Sequence, residues 1–312
     1  CLCLVACIPQ QAMAQKQSRM EKLLRYLNDN DADKWQKNRE KLDDETKAYY
    51  AEDLSLMDVL NDLWNGQSEQ AATLYFGCYE KAAQSNFPGI CEGEKIPLSQ
   101  IRDKADQSII NLLEASKDKI PFSRALLDSI HATEYPVDSA MLQRLQNIRE
   151  VALLEGMLKA PTPIIYQTYV KEYPNGKFIA QVNASENVRL YQLVKTTPTP
   201  ANFKAFFEDP EMQKYYQDRG PRPYLAEVRT LYDDFLFQRI DSLKKEGNAT
   251  AIRQIIDDYK NTPYLATGAR THLNDLEYLS EKADFELLKP AIVNSESLGL
   301  LQEFLKTHKY KE

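Results

Sequence analysis

Residues capable of chemistry are few in this chain, and their spacing rarely brings them together. Histidine occurs only at His131, His272 and His308. No two stand at the i, i+4 spacing that would put a pair of imidazoles on one helix face for zinc. His272 has Asp275 three residues on, but no nucleophile is identifiable to go with them. Asp233–Asp234 and Asp257–Asp258 are paired carboxylates. They lie in amphipathic stretches, where a solvated face is the better reading than an acid–base couple. There is no Walker loop, dinucleotide fingerprint or nucleophile elbow. The expectation is a protein that is not an enzyme, with no metal and no cofactor. His308 fills a position that packing explains better than ligation.

Cysteine chemistry depends on the compartment, and the first fifteen residues bear on that. Cys1 to Ile8 is an apolar run closed by Pro9, and Ala12-Met13-Ala14-Gln15 is a small-x-small pattern of the kind a signal peptidase cuts. With neither an initiator Met nor a basic start, the run reads as the remnant of a signal peptide, residues 1–14. Eight apolar residues are too few to span a bilayer, which takes about 20. A competing reading is a lipobox, Leu4-Val5-Ala6-Cys7, in which Cys7 would carry a lipid anchor; the cut after Ala14 is the better match. Both routes export the protein. Cut after Ala14, the chain keeps two cysteines, Cys78 and Cys91. An even pair in an oxidising compartment predicts a disulfide, helped by the turn-forming Asn86-Phe87-Pro88-Gly89 between them. The alternative is that Cys78, beside Tyr75 and Tyr79, is a buried small hydrophobe.

The elements that must position these residues are helices. Ten glycines in 312 residues is well below the usual ~7%, so tight turns and phosphate loops are scarce. Tyr49, Leu54, Met57, Val59, Leu60 and Leu63 recur at helical spacing, as do Ala105, Ile109, Leu112 and Leu113. No alternating run of β-branched residues bounded by turns calls for a strand. The fold class is all-α. Thirty-nine basic against 46 acidic residues give a net charge of −7, which argues against nucleic acid as a partner. No later stretch approaches a membrane span. An N-terminal helical domain is predicted over residues 15–119, closed at Ile120-Pro121.

The second half, residues 120–312, repeats itself. Pro161-Thr-Pro-Ile-Ile-Tyr-Gln-Thr-Tyr-Val-Lys-Glu172 aligns without a gap on Pro198-Thr-Pro-Ala-Asn-Phe-Lys-Ala-Phe-Phe-Glu-Asp209. Thr162 and Thr199 are suited to cap a helix, and Pro163 and Pro200 then take the first helical position, where no donor is needed. Tyr166, Tyr169 and Val170 match Phe203, Phe206 and Phe207 as one apolar face. Asn248 precedes Ile252, Ile255, Ile256 and Tyr259 at the same offsets; Ser297 precedes Leu301, Phe304, Leu305 and His308. Each first helix leads to a second, one through Ala180, Ala184, Val188 and Tyr191, another through Ala266, Ala269, Leu273, Leu276 and Leu279, and small Ala at the start of the second helix would let the pair approach closely. The fourth unit breaks off at Glu312, so further residues are expected to follow.

Tyr173-Pro174-Asn-Gly-Lys-Phe178-Ile-Ala180 resembles the helix junction of tetratricopeptide-like proteins of the bacterial envelope, those of the outer-membrane-assembly and Tol–Pal-associated type. The likeness runs from about residue 121 to 312. Spacings of 37 and 49, Lys260 in place of the junction proline and the lack of the mid-hairpin glycine depart from that pattern. The resemblance implies helical hairpins stacked as a degenerate solenoid, serving as a scaffold for protein partners in the periplasm or at the outer membrane of a Gram-negative bacterium. The exposed sides of the first helices would carry Gln167, Lys171, Lys204, Glu208, Arg253, Asp257, Gln302 and Lys306 as the candidate partner face. Two alternatives stay open: a helical arm of a larger exported enzyme, and a surface component binding glycans or nutrients.

Overall fold

A computed structural model describes residues 2–246, 248–261, 264, 277–278, 280–282, 284–286, 288–291 and 298–308. For residues 2–11, 244, 249, 259–261 and 291 it describes the backbone alone. Every regular element among them is helical. The chain divides into two compact units between Gly156 and Met157.

The first unit starts with α1 (Leu2–Asn28) and continues through α2 (Ala32–Glu40), α3 (Asp44–Tyr49), α4 (Ala51–Trp64) and α5 (Glu69–Ala83). After these come α6 (Phe87–Gly93), α7 (Leu98–Ala115), α8 (Lys119–His131) and α9 (Ser139–Lys159), whose last residues belong to the second unit. Side-chain caps fix several starts: Asp31 accepts from the Lys34 amide, Asp43 from that of Thr46 and Ser68 from that of Ala71. Each satisfies a donor that has no partner inside the helix. The helices α4 and α5 pack along one another, with α1, α7 and α8 against them. Leu54, Met57, Leu60, Leu63, Tyr75, Phe76, Ile109 and Leu113 are fully buried there, the face that the helical spacing picks out; Tyr49 is exposed.

Ile120-Pro121 does not end this unit. Pro121 sits in the first turn of α8, where its missing N–H is no loss. The buried Arg149 of α9 donates to the Ile120 carbonyl at 2.8 Å and to Ser123 Oγ at 3.1 Å. Phe122, Leu126, Leu127, Ile130 and Leu145 join the same core, so the compact division falls within α9.

The second unit holds α10 (Pro163–Glu172), α11 (Ile179–Thr196), α12 (Pro200–Glu208), α13 (Pro210–Tyr216), α14 (Leu225–Lys245) and α15 (Ala249–Asn261). A 3₁₀ turn (Lys289–Ala291) and α16 (Leu298–Thr307) follow. Three expected caps are in place: Thr162 Oγ1 accepts from the Ile165 amide, Thr199 Oγ1 from that of Asn202 and Asn248 Oδ1 from that of Ala251. Tyr166, Tyr169, Phe203, Phe206, Phe207, Ile252 and Ile256 are buried, as the repeat requires; Val170 and Ile255 are only half-buried. The longer spacing from Thr199 to Asn248, compared with that from Thr162 to Thr199, is taken up by α13 with the loop after it, and by 21 residues in α14 against 18 in α11. The cap at Ser297, the side chains of Tyr259 and Lys260, and Ala266, Ala269, Leu273, Leu276 and Leu279 lie outside the described residues.

One expectation is overturned on α11. Ala180, Ala184 and Val188 are exposed, and the buried face is instead Val182, Asn183, Glu186, Asn187, Leu190 and Val194. Polar residues hold it because each finds a partner, which is what burial of a polar group demands. Asn183 accepts from Tyr166 Oη at 2.9 Å and donates to the Ile179 carbonyl. Glu186 takes a two-pronged bond from Arg189 at 2.7 and 2.6 Å. Asn187 accepts from Arg222 Nε at 2.6 Å. Arg222 also donates to the Phe206 carbonyl, and its guanidinium lies 3.9 Å over the Phe206 ring. Burial lowers its pKa to about 10.

The register of α15 yields a stability ordering. Ile256→Ala, which empties a buried site, should cost about 2–5 kcal/mol, and Asn248→Ala about 1 kcal/mol through its cap. Arg253 is exposed and pairs with Asp284, so Arg253→Ala should cost under about 1 kcal/mol. Denaturant melts of the three variants, read at the first transition, check the order; equal losses at Arg253 and Ile256 would mean a different helix register.

Candidate binding groove

A concave site takes shape where α12, α14 and α15 meet. Pro200 starts α12 without needing its own amide donor, and Phe203 comes one turn later with its ring turned inward. Across from it stand Tyr232 and Phe235 of α14, with ring centroids 5.0 and 5.3 Å from that of Phe203. Tyr264 completes the wall, stacked on Phe207 at 4.2 Å with the planes 6° apart. Between them lies a recess of about 710 Å³, within the range of sites that take small molecules or peptide side chains. Its rim carries both signs: Lys204, Arg239, Glu208 and Asp258, with Gln254 beside them. Tyr264 donates its hydroxyl to Glu208. Burial, followed by the bond and charge of Glu208, raises its pKa and keeps the phenol protonated.

All eight residues of the expected partner face are exposed, but the groove gathers only some of them. Lys204 and Glu208 line it, 3.7 Å apart at their charged ends. On α15 the groove uses Gln254 and Asp258, one position along from Arg253 and Asp257. Gln167 and Lys171 on α10, and Gln302 and Lys306 on α16, do not border it. Sequence reasoning missed Tyr232, Phe235 and Arg239. The aromatic run Tyr232-Asp-Asp-Phe-Leu-Phe237 was the available signal, but it stands in the second helix of its unit, outside the aligned segment.

The histidines and cysteines that are described do not border the groove. His131 is exposed in the last turn of α8. His308 stacks on Phe304 at 3.8 Å, and its Nε2 lies 3.3 Å from Asp284. His272 and Asp275 lie outside the described residues. Among the described residues no group of three or more His, Cys, Asp or Glu is placed to hold a metal, and no helix is long and apolar enough to cross a membrane. The expected disulfide is not formed: Cys78 and Cys91 are free thiols. The helix α5 turns Cys78 toward Ser55 of α4, with Sγ to Oγ at 3.5 Å. Cys91 is buried on α6. Burial first, and then the charges of Asp53 and Glu92, push its pKa up to about 12.

The first unit hides a second polar knot. Tyr135, in the turn between α8 and α9, is packed edge-on by Tyr75, Phe76 and Tyr79. Its hydroxyl donates to Asp106 at 2.5 Å and lies 3.4 Å from that of Tyr75. Burial raises the Asp106 carboxyl to about 6, helped by Asp103 and Asp138 and opposed by Tyr135 and Arg102. Burial likewise raises Asp53 to about 6, against bonds from Ser85 and backbone amides.

Both features predict measurable behaviour. The Cys91 thiol should resist alkylation in the native protein, while unfolding without reductant should expose both Cys78 and Cys91 as reactive thiols to mass spectrometry; a linked Cys78–Cys91 peptide would contradict the structure. A carboxyl whose pKa rises on folding binds its proton more tightly in the native state, so stability falls as pH rises between about 4 and 6. For Asp106 the rise from 3.8 to about 6 amounts to roughly 3 kcal/mol at most. Urea melts across this window should show the decline, reduced in Asp106→Asn and further reduced when Asp53→Asn is added.

Compared with known proteins, the chain matches no family model, no curated protein and no solved structure.

Proposed function

We propose that the protein is a non-enzymatic adaptor of the bacterial envelope, which binds segments of other proteins through the helical-repeat surfaces of its C-terminal unit. The observation that carries this reading is the groove itself. Four aromatic rings line a recess rimmed by both charges, a combination suited to anchoring an apolar side chain while polar rim contacts set register. Repeated capped helices with aromatic inner faces favour a tetratricopeptide-like relationship and a stacked, solenoid arrangement, which leaves grooves between neighbouring units. Export as a mature chain starting at Gln15 is part of the same proposal. The first described side chain that is fully buried is Met20, and Ala12, Ala14 and Gln15 are exposed. Loss of residues 1–14 would therefore remove none of the described core.

Photocrosslinking in cells tests the reading. A photoreactive amino acid at Lys204 or Gln254 should capture discrete protein adducts, and Phe235→Glu, which puts a charge on the groove wall, should abolish them. The same probe at Lys195, exposed and away from the groove, should capture few. Adducts of equal yield at Lys195, or adducts indifferent to Phe235→Glu, would remove the groove from consideration as the binding surface.

A further inference from the structure

The first unit contains a smaller recess of a different chemical character. About 220 Å³ in volume, it lies among the end of α4, the face of α7 and the turn after α1. Lys104 of α7 reaches into this region. Its ammonium donates to the Asn28 carbonyl at 2.9 Å and to Asn30 Oδ1 at 3.0 Å, and sits 3.9 Å over the Trp64 ring. An ammonium has three N–H donors, so these two acceptors leave one to spare.

The lining contains no carboxylate; burial lowers the Lys104 pKa, and the charge of Asp29 is too weak to offset it. Three carboxamides, Asn30, Gln67 and Asn111, line the same recess beside Ser108 and apolar side chains. Asn111 accepts from Gln107 through Oδ1 at 2.7 Å, leaving its NH₂ group to donate. Asn30 uses its oxygen on Lys104, which leaves its NH₂ group as well. Gln67, with φ +50°, and Asn30, with φ +56°, both hold the left-handed conformation that places them at the rim. That conformation is unfavourable for most residues other than glycine.

A part-buried cation in a recess whose lining offers neutral donors and no carboxylate is the arrangement an anion completes. A sugar would want the face of Trp64, which Lys104 already covers; a metal cation would want the oxygen anions that are missing. We propose that this recess binds a compact oxyanion group, seated on the Lys104 ammonium with Gln67, Asn111 and Asn30 as donors. The shared chemistry is two or more oxygens bearing one or two negative charges, as in a carboxylate or in a tetrahedral phosphate or sulfate.

Trp64 reports on the site directly. The chain has two tryptophans, so a Trp35→Phe background of the full chain isolates its emission. Sodium phosphate, sulfate and acetate are titrated separately at constant ionic strength, balanced with sodium chloride. A saturable change in Trp64 emission, with a matching rise in melting temperature, is expected. The arm that saturates, tetrahedral anion or acetate, names the group. Lys104→Met should weaken the response at least tenfold. Asn111→Leu, at an exposed position, should do the same with the fold intact, and it decides the matter if loss of the Lys104–Asn28 bond unfolds the first unit. Emission that follows ionic strength alone, or a saturable response unchanged in Asn111→Leu, would overturn the proposal.

Discussion

A helix of about ten residues is not stable by itself in water, because the cost of the first turn is recovered only over a longer run or by burying one side. That constraint governs the second unit, where α10, α12 and α15 have 10, 9 and 13 residues. Each starts at a side-chain cap that satisfies an orphan donor. Each then buries a face dense in aromatic or branched side chains. The longer α11 and α14 supply the surface on which these short helices rest. Caps and inner faces are therefore two parts of a single solution, and the outward sides of the short helices are left to other uses.

Polar residues do part of the joining. Asn183, Glu186 and Asn187 are buried on α11 and all are hydrogen-bonded. Arg222 ties the loop before α14 to α11 through Asn187 and to α12 through the Phe206 carbonyl. Removing one member leaves its partner buried and unsatisfied, which costs more than the bond itself contributes. Directional bonds of this kind select one packing among the several that an apolar face alone would permit. In the first unit, Tyr135 and Asp106 do the same for the turn between α8 and α9.

The two recesses differ because their walls differ. The groove of the second unit is walled by rings and rimmed by both charges, a lining suited to apolar groups whose orientation is set at the edge. The recess beside Lys104 is small and mixes apolar side chains with three carboxamides and one ammonium, so charge sets its character. Burial acts on charge in opposite directions across the first unit, lowering the Lys104 pKa while raising those of Asp53 and Asp106. In each case the neutral form is favoured where water is excluded.

The all-α class, the caps at Thr162, Thr199 and Asn248, and the buried faces of α12 and most of α10 and α15 were legible in the residues, because each depends on neighbours within one or two helical turns. Exposure of the eight partner-face residues followed from the same periodicity. Tertiary packing decided the rest. Cys78 and Cys91 sit thirteen residues apart across turn-forming sequence, yet the helices around them send one thiol toward Ser55 and bury the other. Small residues on α11 read as a packing face, but Asn183, Glu186 and Asn187 took it, since a buried polar residue is tolerable only when a distant partner such as Arg222 arrives to meet it. Pro121 looked like a boundary and is a helix start held by Arg149, 28 residues on. The groove joins three helices and Tyr264, and the Lys104 recess joins segments as far apart as Asn30 and Ala115. Local spacing specifies which side of a helix is apolar; which other helix meets that side, and which polar groups are carried in with it, depends on contacts that no local pattern encodes.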